Sequence, residues 1–241
     1  MEWTIERVTR KLEEIKAKGF IPIQSGAFRR DDGVVGQVLE REFGIRENNL
    51  NLRDLGTFEL KGVRAGTQLI TLSHKRPEEG LSPIQIFDRF GYIRPSRRDP
   101  SIIKKKLFIT VSGRRVNSVG LRLRGIGDTT LDMVHGSEDI CKWDLTGPLE
   151  KIDQIILVLA KTQGGRNMAD EEFHYIKAYV LNGLKNLKEL VDTDVVVIDF
   201  CIDQPLDASG KPIKAPHDRG PHIRVPMRKL WSAYEEVRQI L

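Results

Sequence analysis

The sequence predicts a single-domain α/β protein with a mixed central sheet flanked by helices, and three observations predict it. The 241 residues are 39% hydrophobic and 30% charged, enough to fill one generous core and unlike a disordered or low-complexity chain. Two runs dense in Ile, Val and Leu, at 155–160 and 195–201, read as strands covered on both faces. Helical periodicity marks both ends of the chain and the stretch between those runs.

Taken in order, residues 4–18 put Ile5, Val8, Leu12 and Ile15 at helical spacing, with Gly19 as the stop. A second helix is expected over 33–43, ending at Gly44 and carrying Glu40 and Glu42 among Val38, Leu39 and Phe43. A polar turn at 46–49 leads to two β-like runs, 57–63 and 67–74, which Arg64, Ala65 and Gly66 would join as a hairpin. Strands follow at 107–111, 118–124 and 129–134, with Gly-containing links between them. The segment 170–190 has helical periodicity broken at Gly183, and a closing helix over 227–241 would present Leu230, Tyr234, Val237 and Leu241 on one face. No repeat or long linker divides the chain, so catalytic and recognition lobes are not separable and 1–241 is expected as one domain.

Several function classes drop out. The longest apolar run, 155–160, is far short of the about 20 residues a membrane-spanning helix requires. The charged N-terminus lacks the apolar stretch of a secretory signal, so a cytoplasmic protein with no membrane partner is expected. Two cysteines, Cys141 and Cys201, are too few for a disulfide framework or a four-thiolate zinc site. The formal charge of +5 permits a polyanionic partner.

The sharpest local pattern is Asp54, Glu59 and Lys61, spaced D-x4-E-x-K. Strand alternation puts Glu59 and Lys61 on one face, and Asp54, in the turn entering the strand, can bring a second carboxylate to the same point. Such oxygen ligands suit Mg²⁺, which can polarise a phosphodiester and acidify water, while Lys61 orients that water or stabilises charge on the phosphate. Glu40, near the end of the preceding helix, can add an acidic group. Alternating charges are commonly just solvated, but here they interleave with Phe58 and Leu60, so the strand is partly buried and unpaired charge on it is costly.

Basic residues cluster next. Arg89, Arg94, Arg97 and Arg98 surround the turn-rich 91–100 stretch and Lys104, Lys105 and Lys106 follow, with Arg114, Arg115, Arg122 and Arg124 beyond; phosphate contacts need such a surface, although a plain solvated face would look the same. The loop 216–224 offers His217, Asp218, Arg219, His222 and Arg224, planar hydrogen-bonding groups able to read base edges. A zinc site there is disfavoured by the histidine spacing and the lack of neighbouring cysteines. His135 and His174 are expected to be structural.

These stretches, in order DDGVVGQVLEREFG, NNLNLRDLGTFELKG, LSHKRP, IQIFDRFGYIRPS, KKKLF, EEFHYIKAYVL, FCIDQ and PHDRGPHIRVP, make the chain resemble the MvaI/BcnI family of type II restriction endonucleases, its BcnI branch most closely. The resemblance spans nearly the whole chain. It implies a MutH-like, restriction-endonuclease-like PD-(D/E)xK core and Mg²⁺-dependent hydrolysis of double-stranded DNA at short sites built as CC, a central pair, then GG. It carries the catalytic carboxylates and lysine to Asp54, Glu59 and Lys61 with no departure, and the helix-borne acidic residue to Glu40. It places His74 and His222 at the central base pair, and Asp218, Arg219 and Arg224 in the loop that approaches the flanking pairs.

The expectation is therefore an endonuclease cutting within 5′-CCSGG, S being C or G, through a metal-activated water. A site with an odd centre is not perfectly two-fold symmetric, so a monomer is expected, paired functionally with a protecting methyltransferase. Its rivals are the same chemistry at CCWGG, MutH-like nicking in repair, and a DNA-binding module without cleavage. Intact Asp54, Glu59 and Lys61 argue against the last.

Overall fold

The computed structural model describes residues 3–24, 31–45 and 53–241; the turn expected at 46–49 lies outside them. In chain order the elements begin α1 (Ile5–Ala17), β1 (Ile21–Pro22), α2 (Val34–Glu42), β2 (Glu59–Arg64), β3 (Leu69–His74), β4 (Glu79–Gly80), α3 (Pro83–Phe90) and β5 (Tyr92–Pro95). Next come β6 (Ile103–Val111), β7 (Leu121–Ile126), β8 (Thr130–His135), β9 (Glu138–Asp144), α4 (Thr146–Ile152), β10 (Gln154–Gln163) and β11 (Glu172–Leu184). The chain ends with α5 (Leu187–Asp192), β12 (Val197–Pro205), β13 (His217–Asp218), β14 (His222–Pro226), α6 (Met227–Leu230), a 3-10 turn over Trp231–Ala233 and β15 (Tyr234–Gln239). Two compact units result, one from Met1–Ile70, Leu149–Leu184 and Trp231–Leu241, the other from Thr71–Pro148 and Lys185–Leu230.

The first unit holds the mixed sheet. Its order is β1-β11-β10-β2, with β15 also on β11; β2 runs parallel to β10 and the remaining pairs are antiparallel. Helices α1 and α2 behave as their periodicity predicts: Val8, Leu12 and Ile15 from one, Val34, Val35, Val38 and Leu39 from the other, are buried with Leu60, Ile156, Val158, Phe173, Tyr175 and Val180 of the sheet. Thr4 caps α1 through its side chain, and Gly19 leaves it at φ +73°.

Three sequence expectations are corrected here. The segment 170–190 is not helical but contains the long strand β11 followed by the short helix α5. Its register against β10 shifts between Leu159 and Ala160, a bulge at Ile176 that breaks the two-residue alternation. The buried residues Phe173, Tyr175, Ala178, Val180 and Leu181 then fall at intervals that include the three and seven of a helix. The closing helix is also absent beyond Leu230: after the 3-10 turn the chain extends into β15, a strand with only Tyr234 buried, whose charged side chains Glu235, Glu236 and Arg238 suit an edge.

The third correction is the hairpin. β2 pairs with β10, whereas β3 belongs to another sheet, beside β14. Its expected turn is committed elsewhere: the Ala65 N–H donates to the Ala160 carbonyl at 2.7 Å, and the Arg64 guanidinium donates to both oxygens of Glu171 at 2.7 and 2.8 Å. Arg64 is 8% exposed and Glu171 1%. Asp32 and Asn167 accept the remaining guanidinium donors, so a buried charge at the end of β2 is fully paired, as burial requires.

In the second unit a sheet of order β3-β14-β12-β6-β5, with β13 on β12, accompanies a four-stranded sheet β4-β9-β8-β7. Ile198, Phe200 and Ile202 of β12 and Leu107, Ile109 and Val111 of β6 are buried, while the intervening Asp199, Cys201, Phe108 and Thr110 stand on the other, more open face. Helix α3 starts with a capping box, Ser82 with Gln85, and Pro83 at its first turn. No helix among the described residues is long and apolar enough to cross a membrane.

One glycine fixes the spacing of β2 against α2. A Cβ at Gly62 would stand 3.1 Å from the Gly36 Cα and the Val35 carbonyl oxygen, and 3.2 Å from Leu39, so helix and strand touch backbone to backbone. Gly62→Val is expected to destabilise the protein by about 2 kcal/mol through overpacking. Urea unfolding measures it, and a loss under about 0.5 kcal/mol, the scale of an unremarkable surface change, would contradict this contact.

Candidate active site

The turn before β2 aims Asp54 back at the strand. Leu55 N–H donates to the Phe58 carbonyl at 2.9 Å, and Gly56 takes φ +74°, a conformation a side chain disfavours. The reversal lets Asp54 Oδ2 accept the Leu60 N–H at 3.1 Å. Arg53 holds the turn from outside, donating to the Thr57 carbonyl at 2.6 Å and to the Glu150 carbonyl of α4.

Glu59 opens β2 with only 3% exposure. Lys61, two residues on and on the same face, brings Nζ to 2.9 Å from Oε1, and Lys151 of α4 brings Nζ to 3.4 Å from Oε2. Oε2 is buried and receives no hydrogen bond among the described residues. Burial, and then the Glu59 charge, push the Asp54 carboxyl above its ordinary value, against the Leu60 hydrogen bond and the charges of Lys151 and Lys61. Asp54, Glu59 and Lys61 are thus brought together as the spacing predicts. Glu40 comes from α2, on the side of β2 that Gly62 faces.

These atoms fit a small divalent cation. Two crowded carboxylates, one with a buried oxygen that lacks a donor, are relieved by a positive charge between them. No group of three or more His, Cys, Asp and Glu forms a metal cage among the described residues. Sequence reasoning misses Lys151, which meets Glu59 only through the fold and lies in no motif with the carboxylates; Arg53, next to Asp54 in the chain, is legible by its position, but its bond to the Glu150 carbonyl is not.

The remaining candidates lie in the second unit. His74, at the end of β3, and His222, on β14, stack edge to face with ring centroids 4.4 Å apart. His222 is 9% exposed and its Nδ1 is buried with no hydrogen-bond partner among the described residues; burial and the Arg224 charge hold its pKa below the usual imidazole value. Arg224 is fixed across three strands, donating to Thr71 Oγ1 at 3.2 Å and Asp199 Oδ2 at 2.8 Å. Asp199 in turn accepts from Thr110 Oγ1 on β6.

In the loop, Asp218 pairs with Arg76 at 3.0 Å and accepts the Gly220 N–H, Arg219 reaches the Cys201 sulfur, and His217 is exposed. The basic cluster is divided. Lys104 pairs with Asp203, Lys105 with Asp88 and Arg89 with Glu138, while Arg94, over the Tyr92 ring, and Arg97 remain exposed.

The chain matches the MvaI/BcnI restriction endonuclease family over residues 9–234. Among solved structures it is similar to a complex of the restriction endonuclease MvaI with cognate DNA substrate, at TM-score 0.75 and 20% identity over 100% of both chains. MvaI in the absence of DNA gives TM-score 0.50 and 20% identity over 100% of this chain and 99% of that one. No curated protein matches. The likeness carries the fold, the restriction-endonuclease fold with its mixed sheet and flanking helices.

The carboxylate crowding has a consequence for stability. Because the folded protein raises the Asp54 pKa, ionised Asp54 opposes folding above that raised value, and the penalty vanishes below the ordinary carboxylate range. Asp54→Asn, which retains an acceptor for Leu60, is expected to raise Tm in EDTA at pH 7 and to match the unsubstituted chain near pH 3. Calorimetry at the two pH values decides; a lower Tm for the variant at pH 7 would remove the crowding.

Proposed function

The chain belongs to the MvaI/BcnI restriction endonuclease family and is a type II site-specific deoxyribonuclease, and on that premise we propose that it hydrolyses double-stranded DNA within 5′-CCSGG with Mg²⁺ held by Asp54 and Glu59. The observation that carries this reading is the buried Glu59 carboxylate, whose charge together with burial pushes the Asp54 carboxyl above its ordinary value. When bound, the cation supplies Lewis-acid polarisation of the phosphate and acidification of water.

The protein's own part follows from its contacts. Asp54 and Glu59 fix the ion relative to β2. Lys61, oriented by its 2.9 Å pairing with Glu59, presents an ammonium where negative charge develops on the phosphate, a preorganised interaction that costs no rearrangement during reaction. Glu40 is assigned the helix-borne acidic role by the family resemblance, on the α2-facing side of β2. Arg94, Arg97, Lys104 and Lys105 supply phosphate contacts and His217, Asp218, Arg219 and Arg224 approach the flanking base pairs, with Arg224 already oriented by Asp199.

The His74–His222 pair supports the central S. A neutral imidazole donates from one nitrogen, and guanine offers N7 and O6 as acceptors in the major groove; two histidines approaching a G·C pair from opposite sides accept either orientation. The odd centre favours a monomer that meets the strands in turn. In the cell such an enzyme requires a methyltransferase protecting the same sites, which places it in the cytoplasm with the host DNA.

Digestion of a plasmid of known sequence with Mg²⁺, followed by end sequencing, is expected to place every cut within CCSGG; cuts at CCWGG would transfer the specificity. Asp54→Ala and Glu59→Ala are each expected to abolish cleavage while keeping specific duplex binding in Ca²⁺, because affinity comes chiefly from cationic contacts to phosphates. Gel shift and cleavage assays test both, and near-normal cleavage by either variant would remove the metal assignment.

The unsubstituted enzyme is expected to prefer S over W by at least about tenfold in single-turnover cleavage, the scale of one mismatched pair. His74→Ala or His222→Ala should relax that preference more than it weakens binding. Oligonucleotides differing only at the centre test it, and full preference in both variants would take the histidines out of the reading.

A further inference from the structure

Lys151 occupies a place that the family motif does not account for. Its Nζ stands 3.4 Å from Glu59 Oε2, the oxygen opposite the one Lys61 holds. Its charge lowers the Asp54 pKa more than that of Lys61 does. The helix end is held from two sides: Arg53, adjacent to Asp54, donates to the carbonyl of Glu150, adjacent to Lys151, and the buried Tyr234 hydroxyl donates to the Ile152 carbonyl at 2.9 Å. The lysine is therefore built into the carboxylate pair by contacts on both neighbouring residues.

We propose that Lys151 is a resident counter-ion of Asp54 and Glu59 that a divalent cation must displace from Glu59 Oε2, so that this lysine sets the cation concentration at which the site fills. The inference rests on the metal-site reading above. Without metal, two carboxylates are balanced by two ammonium groups, which makes burial of Glu59 tolerable. An arriving cation needs the same Oε2 and meets the Lys151 charge at close range, where like charges repel strongly in a partly desolvated site. The ammonium must swing away as the ion enters, and its flexible four-carbon stem and 25% side-chain exposure allow that.

The test uses the full chain without DNA and Ca²⁺ as the probe, with binding followed by titration calorimetry and folding checked by circular dichroism in EDTA. Lys151→Met should lower the Ca²⁺ Kd by at least about fivefold, and Lys151→Arg, which keeps the charge, should stay within about twofold of the unsubstituted chain. Half-saturating Mg²⁺ in single-turnover cleavage should fall in parallel for Lys151→Met. Should that variant not fold, Lys151→Gln carries the same expectation. Unchanged or weaker Ca²⁺ binding in a folded neutral variant overturns the role of Lys151 and leaves the metal site standing. If Glu59→Gln binds Ca²⁺ as well as the unsubstituted chain does, the metal-site reading falls first and this inference with it.

Discussion

The burial of one carboxylate, Glu59 at 3% exposure, is the constraint on which the rest of the candidate site depends. An ionised carboxylate in that position is costly unless its charge is answered. Much of the local structure can be read as that answer. The turn at Gly56 brings the Asp54 acceptor to the Leu60 N–H, the parallel pairing sets Glu59 and Lys61 beside Ile155 and Leu157 of β10, and α4 delivers Lys151. In the proposed reading this liability for stability is a functional resource, because two neighbouring carboxylates are the donors a small, hard cation takes.

The second unit uses the opposite tactic. Its candidate reading groups are held in register by neutral and ionic hydrogen bonds across the open sheet face, from Thr71 through Arg224 and Asp199 to Thr110. Orientation fixed before binding reduces the ordering that recognition must otherwise impose. His222 differs, because its buried Nδ1 has no hydrogen-bond partner among the described residues and burial favours the neutral ring. In the proposed reading it is the group whose hydrogen bonding is completed by the ligand.

How legible this was in the sequence varied with the range of the interaction. Amphipathic α1 and α2 could be read because their periodicity is local, and Asp54, Glu59 and Lys61 because they lie within one turn and strand. β11 was misread because a single bulge at Ile176 disguises a strand as a helix. The closing segment was misread because Leu230, Tyr234, Val237 and Leu241 keep helical spacing while the chain changes to an edge strand after residue 233. The capping box of α3, Ser82 and Gln85, was a local signal that could have been read. Lys151 and the Arg64–Glu171 pair could not, since each partner is distant in sequence and only the fold supplies the neighbour.

The most direct measurement of the central claim is anomalous diffraction from crystals of the protein with a cognate duplex and Mn²⁺. The account predicts a manganese peak bonded to carboxylate oxygens of both Asp54 and Glu59, with the Lys151 ammonium withdrawn from Glu59. A peak at other residues, or Glu59 Oε2 still paired with Lys151 and no metal beside it at saturating Mn²⁺, would contradict it.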